Sequence, residues 1–320
     1  MTSVAVLVPT WRRPEDLARC LHTLRVQRRR PERVLVVRRA DDQPTGNVLA
    51  AQSELPLTEV LVERPGQVAA LNAGLDALDE DVVAITDDDA APRPDWIEQI
   101  AGWFARDGRL GALGGRDWVY HGRELQDGAE PTVGTVAWYG RFLSFHHLGA
   151  GPAREVDFLK GANMSFRREA IRSLRFDERL RGDGTEYLND WAFTLAVKRG
   201  GWKVVYDPAV AIDHYEGART AGDARSVGGG RRSAVERQVA HQRAYNETYI
   251  AARYLPAHRA AAHLAFATLM GSTLAPAPGL ALTRVGALGG LRAAAAEVGG
   301  SLAARLSGAL AGLRARVAHG

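Results

Sequence analysis

The sequence holds a single cysteine, Cys20, in 320 residues. No intramolecular disulfide and no multi-cysteine zinc site can be built from it. A reducing, cytoplasmic setting is therefore expected. The opening MTSVAVLVPT runs straight into a strand-like segment and lacks the basic start and apolar stretch of a secretory leader. Long apolar runs are scarce as well. Hydrophobic residues make up 46% and charged residues 24%, which excludes a disordered chain, a collagen-like repeat and a polytopic membrane protein.

Lysine is absent from residues 217–320, which carry 13 Arg and only four acidic residues. That segment has a charge of +9, so the net +4 leaves −5 on residues 1–216. An acidic front suits a cation, and a basic rear suits phosphate or an anionic membrane surface. Between Arg259 and Arg284 lie 24 residues without a formal charge, enough to span a bilayer in length. His263, Pro276 and Pro278 interrupt them. Three readings stay open for this tail: helices packed on the domain, peripheral contact with an anionic membrane, or a true membrane span.

Short apolar runs are what the front half does contain. Val4–Val8, Arg33–Val37, Thr58–Val62 and Asp81–Thr86 read as strands, and Pro14–Leu24 and Gln67–Leu78 as helices. Strands alternating with helices predict an α/β domain with a mostly parallel sheet. Further on, Leu110–Gly115 and Lys203–Tyr206 read as strands and Asn189–Lys198 as a helix. Residues 217–234 are rich in Gly and Arg and read as a loop. A helical C-terminal extension is expected over 235–320.

Five local patterns carry chemistry. Asp87-Asp88-Asp89 follows the apolar strand VVAIT. Ligands of open α/β sheets bind beyond the carboxyl ends of strands, and three carboxylates there repel one another unless a cation neutralises them. Oxygen ligands suit Mg²⁺ or Mn²⁺; a solvated acidic loop is the plain alternative. Pro9-Thr10-Trp11-Arg12-Arg13 follows the first strand on the same sheet edge. It is either a nucleotide-contacting loop or a simple capped turn. Gly66 at a helix entry, ahead of Asn72, permits close approach of a ligand, or simply a tight turn. Asp190 in a first helical turn is either a general base or a capping carboxylate. His214 is either a metal ligand or a packing residue.

The order of these patterns resembles family-2 glycosyltransferases, which have the nucleotide-diphospho-sugar transferase fold called GT-A. The matching stretches are VAVLVPTWRRPEDLARCLHTL, ERPGQVAALNAGLDAL, VVAITDDDAAPRPDWIEQI, VDFLKGANMSFRREAI and FDERLRGDGTEYLNDWAFTLAVKRGGW, over about residues 3–215. The resemblance implies a Rossmann-like, mostly parallel mixed sheet flanked by helices, with the helical extension behind it. The catalytic domain is then residues 1–216, with a nucleotide-binding half of about 1–110 and an acceptor half of about 111–216.

It also implies roles. Asp87 and Asp89 look like the D-x-D pair, holding Mn²⁺ or Mg²⁺ with help from His214. Pro9, Thr10, Arg12, Gly66, Asn72, Asp87 and Asp88 fall where the family holds the nucleotide sugar. Gly161, Ala162, Asn163 and Trp191 resemble the donor-sugar and acceptor region. Asp190 matches the catalytic base. One departure stands out: where the family shows an aspartate after the second strand, this chain reads Val36-Val37-Arg38-Arg39-Ala40-Asp41-Asp42. Asp41 or Asp42 takes that place by a shifted register.

The implied activity is inverting, metal-dependent transfer of a sugar from a nucleotide-diphospho-sugar. The acceptor is a glycan, glycolipid or small molecule, in polysaccharide, glycolipid or glycosylated-metabolite synthesis. The expected location is cytoplasmic, peripheral on the inner face of the cell membrane if the tail contacts lipid. A nucleotidyltransferase is disfavoured because PTWRRPED lacks a glycine run. A non-catalytic nucleotide-sugar-binding protein is disfavoured because Asp87, Asp89 and Asp190 are all present. A nucleic-acid partner is not expected, since the arginines are not interleaved with aromatic platforms.

Overall fold

The computed structural model describes residues 2–215, 233–286, 288 and 290–317. The expected loop 217–234 lies outside the described residues, apart from its last two positions. The chain divides into two compact units. One comprises Met1–Thr135, Leu143–Glu178 and Asn189–Gly217, the other Val136–Phe142, Arg179–Leu188 and Ala218–Gly320. Two short segments inside the expected catalytic span therefore belong to the second unit.

The first unit begins with β1 (Val4–Pro9), α1 (Pro14–Arg25), β2 (Arg33–Arg39), α2 (Gln43–Ala50), β3 (Leu57–Val62), α3 (Gln67–Asp76) and β4 (Val82–Thr86). Pro14 opens α1, Glu15 and Asp16 favour its first turn, and Leu17, Cys20, Leu21 and Leu24 form its buried stripe. Next come β5 (Ala90–Pro92), α4 (Trp96–Arg106), β6 (Leu110–His121) and β7 (Glu124–Leu125). A separate two-stranded ladder pairs β8 (Thr135–Val136) with β9 (Phe142–Leu143). The remaining elements of this unit are β10 (Arg154–Glu155), β11 (Asn163–Arg167), α5 (Arg168–Ile171), α6 (Asn189–Arg199) and β12 (Lys203–Tyr215). Helices α2 and α4 go beyond the sequence expectation.

The main sheet has ten strands in the order β10-β12-β6-β11-β4-β1-β2-β3, with β5 on β12 and β7 on β6. β3, β2, β1 and β4 are mutually parallel, and so are β6 and β12, while β11 runs antiparallel between β4 and β6. Successive residues of β1 feed two cores. Val4, Val6 and Val8 pack with Leu17, Leu21 and Trp96, while Ala5 and Leu7 pack with Leu71, Leu75 and Phe193. Burial on both faces explains why these strands read as unbroken apolar runs.

Two strands outrun their predicted ends. β12 continues past Asp207-Pro208 to Tyr215, because a register shift between Asp207 and Ile212 accommodates the proline. β6 continues through Gly114-Gly115 to His121. A Cβ on Gly115 would fall 1.6 Å from the Val210 carbonyl oxygen, so the glycine permits the close approach of β12 at its bulge.

The described part of the second unit contains α7 (Ala234–Tyr254), α8 (Ala257–Leu269), α9 (Pro278–Leu282) and α10 (Leu291–Val317). Ser233 and Glu236 form a reciprocal capping box at the start of α7. Asn246 of α7 accepts from Arg181 N–H and donates to the carbonyls of Arg181 and Tyr187. α10 lies close against α7: a Cβ on Gly308 would fall 2.3 Å from the Tyr245 carbonyl oxygen, and one on Gly312 2.4 Å from that of Tyr249. Among the described residues no helix is long and apolar enough to cross a membrane. The uncharged stretch is divided between α8 and α9 by a turn at Gly271, whose φ is +71°.

Candidate active site

The three aspartates leave the carboxyl end of β4 and lead directly into β5. β5 pairs antiparallel with β12, setting Ala90 opposite His214, and Tyr215 N–H donates to the Asp89 carbonyl at 3.0 Å. This pairing brings a residue 125 positions downstream to the aspartates. One ligand atom from each of Asp87, Asp89 and His214 lies within 4.8 Å of the others. His214 Nε2 stands 3.1 Å from Asp89 Oδ1. That oxygen is buried and accepts no well-aligned hydrogen bond. Two carboxylates and an imidazole in this arrangement fit a hard or borderline divalent cation such as Mg²⁺ or Mn²⁺.

Asp88 is engaged elsewhere. Thr10 Oγ1 donates to its Oδ2 at 2.8 Å, and Arg13 Nη1 reaches its Oδ1 at 3.3 Å and Asp89 Oδ2 at 3.0 Å. The middle aspartate thus fastens the cluster to the end of β1.

The electrostatics follow from burial and crowding. Burial, with Asp89 adding repulsion, lifts Asp87 to about 6. Burial lifts Asp88 to about 7, with Arg13 opposing and Asp89 reinforcing the rise. Burial also works against ionised Asp89, yet His214 and Arg13 hold its carboxyl below the ordinary range. For His214 burial favours the neutral ring, but Asp117 and Asp89 outweigh it and raise the imidazolium to about 9.

Asp117 of β6 completes the cluster. It is fully buried, and its Oδ2 pairs with Lys160 Nζ and lies 3.9 Å from His214 Nδ1. Despite its burial, Lys160 and His214 hold it well below the usual carboxylate range.

Lys160 begins the loop that meets Asp190. Gly161 N–H donates to Asp190 Oδ2 at 2.9 Å, and Trp191 N–H donates to Oδ1 at 3.0 Å. The loop leads into β11, where Asn163 lies opposite Thr86, the last residue of β4. Thr86 Oγ1 also donates to the Ala162 carbonyl at 3.0 Å. The half-buried Asp190 at the start of α6 is thereby tied to the loop beside the aspartates. Trp191 packs on Phe158 with ring centroids 4.5 Å apart.

The other sequence-predicted residues are placed as follows. Pro9 ends β1, and Thr10 N–H donates to the Val37 carbonyl at 2.9 Å. Arg12 adopts a left-handed φ of +56° and donates its N–H to Asp42 Oδ2 at 2.5 Å. Asp41 is exposed and pairs with Arg39 at 3.0 Å and Arg12 at 3.7 Å. Asp42 is instead buried and caps α2, so the two candidates for the shifted register have separate tasks. Arg38 reaches across to Glu59 and to the carbonyls of Arg39 and Asp42.

Gly66, with φ +119°, opens α3. The side-chain amide of Asn72 is engaged by the backbone of Phe176, and that of Asn163 by Trp96 Nε1 and the carbonyls of Val210 and Arg116. Both amides therefore serve the fold directly.

Three residues to which sequence reasoning gave no role of their own belong to the cluster. Arg13 stands beside Arg12 in PTWRR, and Lys160 immediately precedes Gly161, so both had a local signal. Asp117 had none; only the β6–β12 pairing brings it to His214.

The family model described as "Glycosyltransferase like family 2" matches residues 2–227. No curated protein is a significant sequence match. Among solved structures, the mannosyltransferase PcManGT from Pyrobaculum calidifontis, in complex with GDP-Man and Mn²⁺, is similar at 20% identity and a TM-score of 0.54. The match covers 97% of this chain and 86% of that one. TarS 1–349 of S. aureus, in complex with UDP-GlcNAc, is similar at 15% identity and a TM-score of 0.55, covering 99% and 92%. GalNAc-T7 with UDP, GalNAc and Mn²⁺ is similar at 12% identity and a TM-score of 0.56, covering 80% and 52%. The sheet flanked by helices is the GT-A-like fold of these structures.

Proposed function

The chain belongs to glycosyltransferase family 2, and on that premise we propose that it transfers a sugar from a nucleotide-diphospho-sugar to an acceptor hydroxyl with inversion at the anomeric carbon. The observation that carries this reading is the convergence of Asp87, Asp89 and His214 within 4.8 Å, beside the loop whose Gly161 N–H holds Asp190. The cation-bound nucleotide complexes of PcManGT and GalNAc-T7 support the same assignment for the cluster.

Asp190 receives the proton of the acceptor hydroxyl at a carboxylate oxygen. Two backbone N–H groups, those of Gly161 and Trp191, hold that carboxylate in place. The freed acceptor oxygen attacks the anomeric carbon from the face opposite the leaving nucleoside diphosphate. A divalent cation held by Asp87, Asp89 and His214 supplies Lewis-acid charge to that diphosphate when bound. Arg13 and Thr10 hold Asp88 and Asp89 in place, so donor binding meets a fixed set of carboxylates. Much of the acceleration comes from aligning two bound substrates.

Titration calorimetry with a panel of nucleoside diphosphates tests the donor side. Binding of at least one of them that requires Mn²⁺ and disappears in Asp89→Ala is the expected result. Binding that is indifferent to Mn²⁺ and to the substitution overturns the assignment.

A further inference from the structure

Exposed apolar residues are concentrated in the second unit. Among the described residues, 11 of the 14 large apolar side chains that are exposed belong to it. Four form a line on α10: Leu306 is 53% exposed, Leu310 57%, Leu313 49% and Val317 83%. At 3.6 residues per turn they fall within an arc of about 60° and extend about 17 Å along the helix. The opposite side of α10 is the one that packs on α7, through Gly308 and Gly312. This line therefore has no counterpart within its own helix pair.

Charge decides what covers it. From Ala257 to Val317 the only acidic residue is Glu297, which is buried. The exposed Arg292 lies in line with the apolar stripe toward its N-terminal end, and the exposed Arg314 flanks it. A second copy of the chain would bring like charges together with no acid to balance them. The stripe also spans less than two heptads, short of the three or four that a coiled coil requires. An apolar line whose own helix exposes only positive charge beside it is complementary to an anionic lipid surface, where leucines enter the acyl boundary and arginines meet headgroup phosphates.

We infer that the outer face of α10, formed by Leu306, Leu310, Leu313 and Val317 and flanked by Arg292 and Arg314, docks the protein on an anionic membrane. The inner face stays packed on α7, so docking needs no unfolding of the helix pair. None of these residues belongs to the cluster around Asp87 and Asp190, and docking is independent of the transfer reaction.

Flotation of the full chain with phosphatidylcholine vesicles, with and without about one-third phosphatidylglycerol, tests the inference. The wild type floats with the anionic vesicles and much less with the neutral ones. Leu306→Asp combined with Leu313→Asp lowers partitioning at least about tenfold. Arg292→Ala combined with Arg314→Ala lowers it several-fold and reduces its salt dependence. All six side chains are exposed, so thermal unfolding and Mn²⁺-dependent nucleotide binding stay at wild-type values. Equal binding to neutral vesicles, or unchanged partitioning in both variants, overturns the inference. So does a wild-type dimer in light scattering that the leucine substitutions dissociate without any vesicle binding, since the face would then join two copies of the chain.

Discussion

His214 Nε2 stands 3.1 Å from Asp89 Oδ1, with both side chains buried and the ring raised to about 9 by Asp117 and Asp89. At neutral pH the ring is thus an imidazolium facing a carboxylate. A cation held there through His214 would replace the proton on Nε2, because only a neutral imidazole nitrogen ligates a metal.

Metal binding is accordingly expected to release protons. Calorimetry of Mn²⁺ binding at pH 7.5 in buffers of different ionisation enthalpy measures the number, which is expected to be about one. Affinity rises with pH through the range set by Asp87 at about 6 and His214 at about 9. Proton-neutral binding would show that His214 is not a ligand.

Stability without metal follows the same groups. Asp87 and Asp88 are raised, so the cost of their buried charge sets in above the ordinary aspartate range and grows as pH rises through about 6 and 7. His214 is also raised, so its contribution is full below its ordinary value and is lost as pH rises through about 9. Both effects lower the melting temperature of the metal-free protein between pH 5 and 9. Mn²⁺ opposes the fall increasingly toward the alkaline end. Melting curves at several pH values with chelator and with Mn²⁺ check this.

Asp117 is the buried anion shared by Lys160 and His214. Asp117→Asn leaves Lys160 without its partner and costs about 3 kcal/mol of stability. Lys160→Met in the same chain recovers part of that loss. Mn²⁺ affinity falls about 10- to 100-fold in Asp117→Asn, because the ring of His214 loses the carboxylate facing Nδ1. Denaturant unfolding and Mn²⁺ titration of the single and double variants separate the two effects.

The packing of α10 on α7 gives a paired test. Gly308→Ala forces a methyl group against the Tyr245 carbonyl and is expected to destabilise by about 1–3 kcal/mol. Gly299→Ala, where a Cβ meets nothing within 4 Å, is expected to stabilise α10 by about 0.5–1 kcal/mol. Thermal unfolding of the two variants should move in opposite directions.

Much of this was legible because the relevant signals are local. The apolar runs of β1, β2 and β4, the stripe of α1, and the aspartates directly after β4 are contiguous patterns, and the sheet edge they share follows from α/β topology. Asp207-Pro208 lies just past the expected strand Lys203–Tyr206, and Gly114-Gly115 closes the expected strand Leu110–Gly115. In three dimensions they shape the bulged pairing of β6 and β12, a contact between distant segments that no local window contains. Asp117 was hidden for the same reason. Asn72 and Asn163 have residue types suited to sugar contacts; in the fold the amide of Asn72 is engaged by the Phe176 backbone, and that of Asn163 by Trp96 Nε1 and the Val210 and Arg116 carbonyls. Asp88 sits in the middle of the motif, yet Thr10 and Arg13 claim its carboxylate.

The most direct test of the account measures release of nucleoside diphosphate from a panel of nucleotide sugars, with acceptor and Mn²⁺, by the wild type and by Asp190→Asn. The account predicts metal-dependent release with at least one donor by the wild type. It also predicts a rate at least about 100-fold lower in Asp190→Asn, with Mn²⁺-dependent binding of that donor retained. Wild-type turnover by Asp190→Asn, or turnover unaffected by chelating the metal, would contradict it.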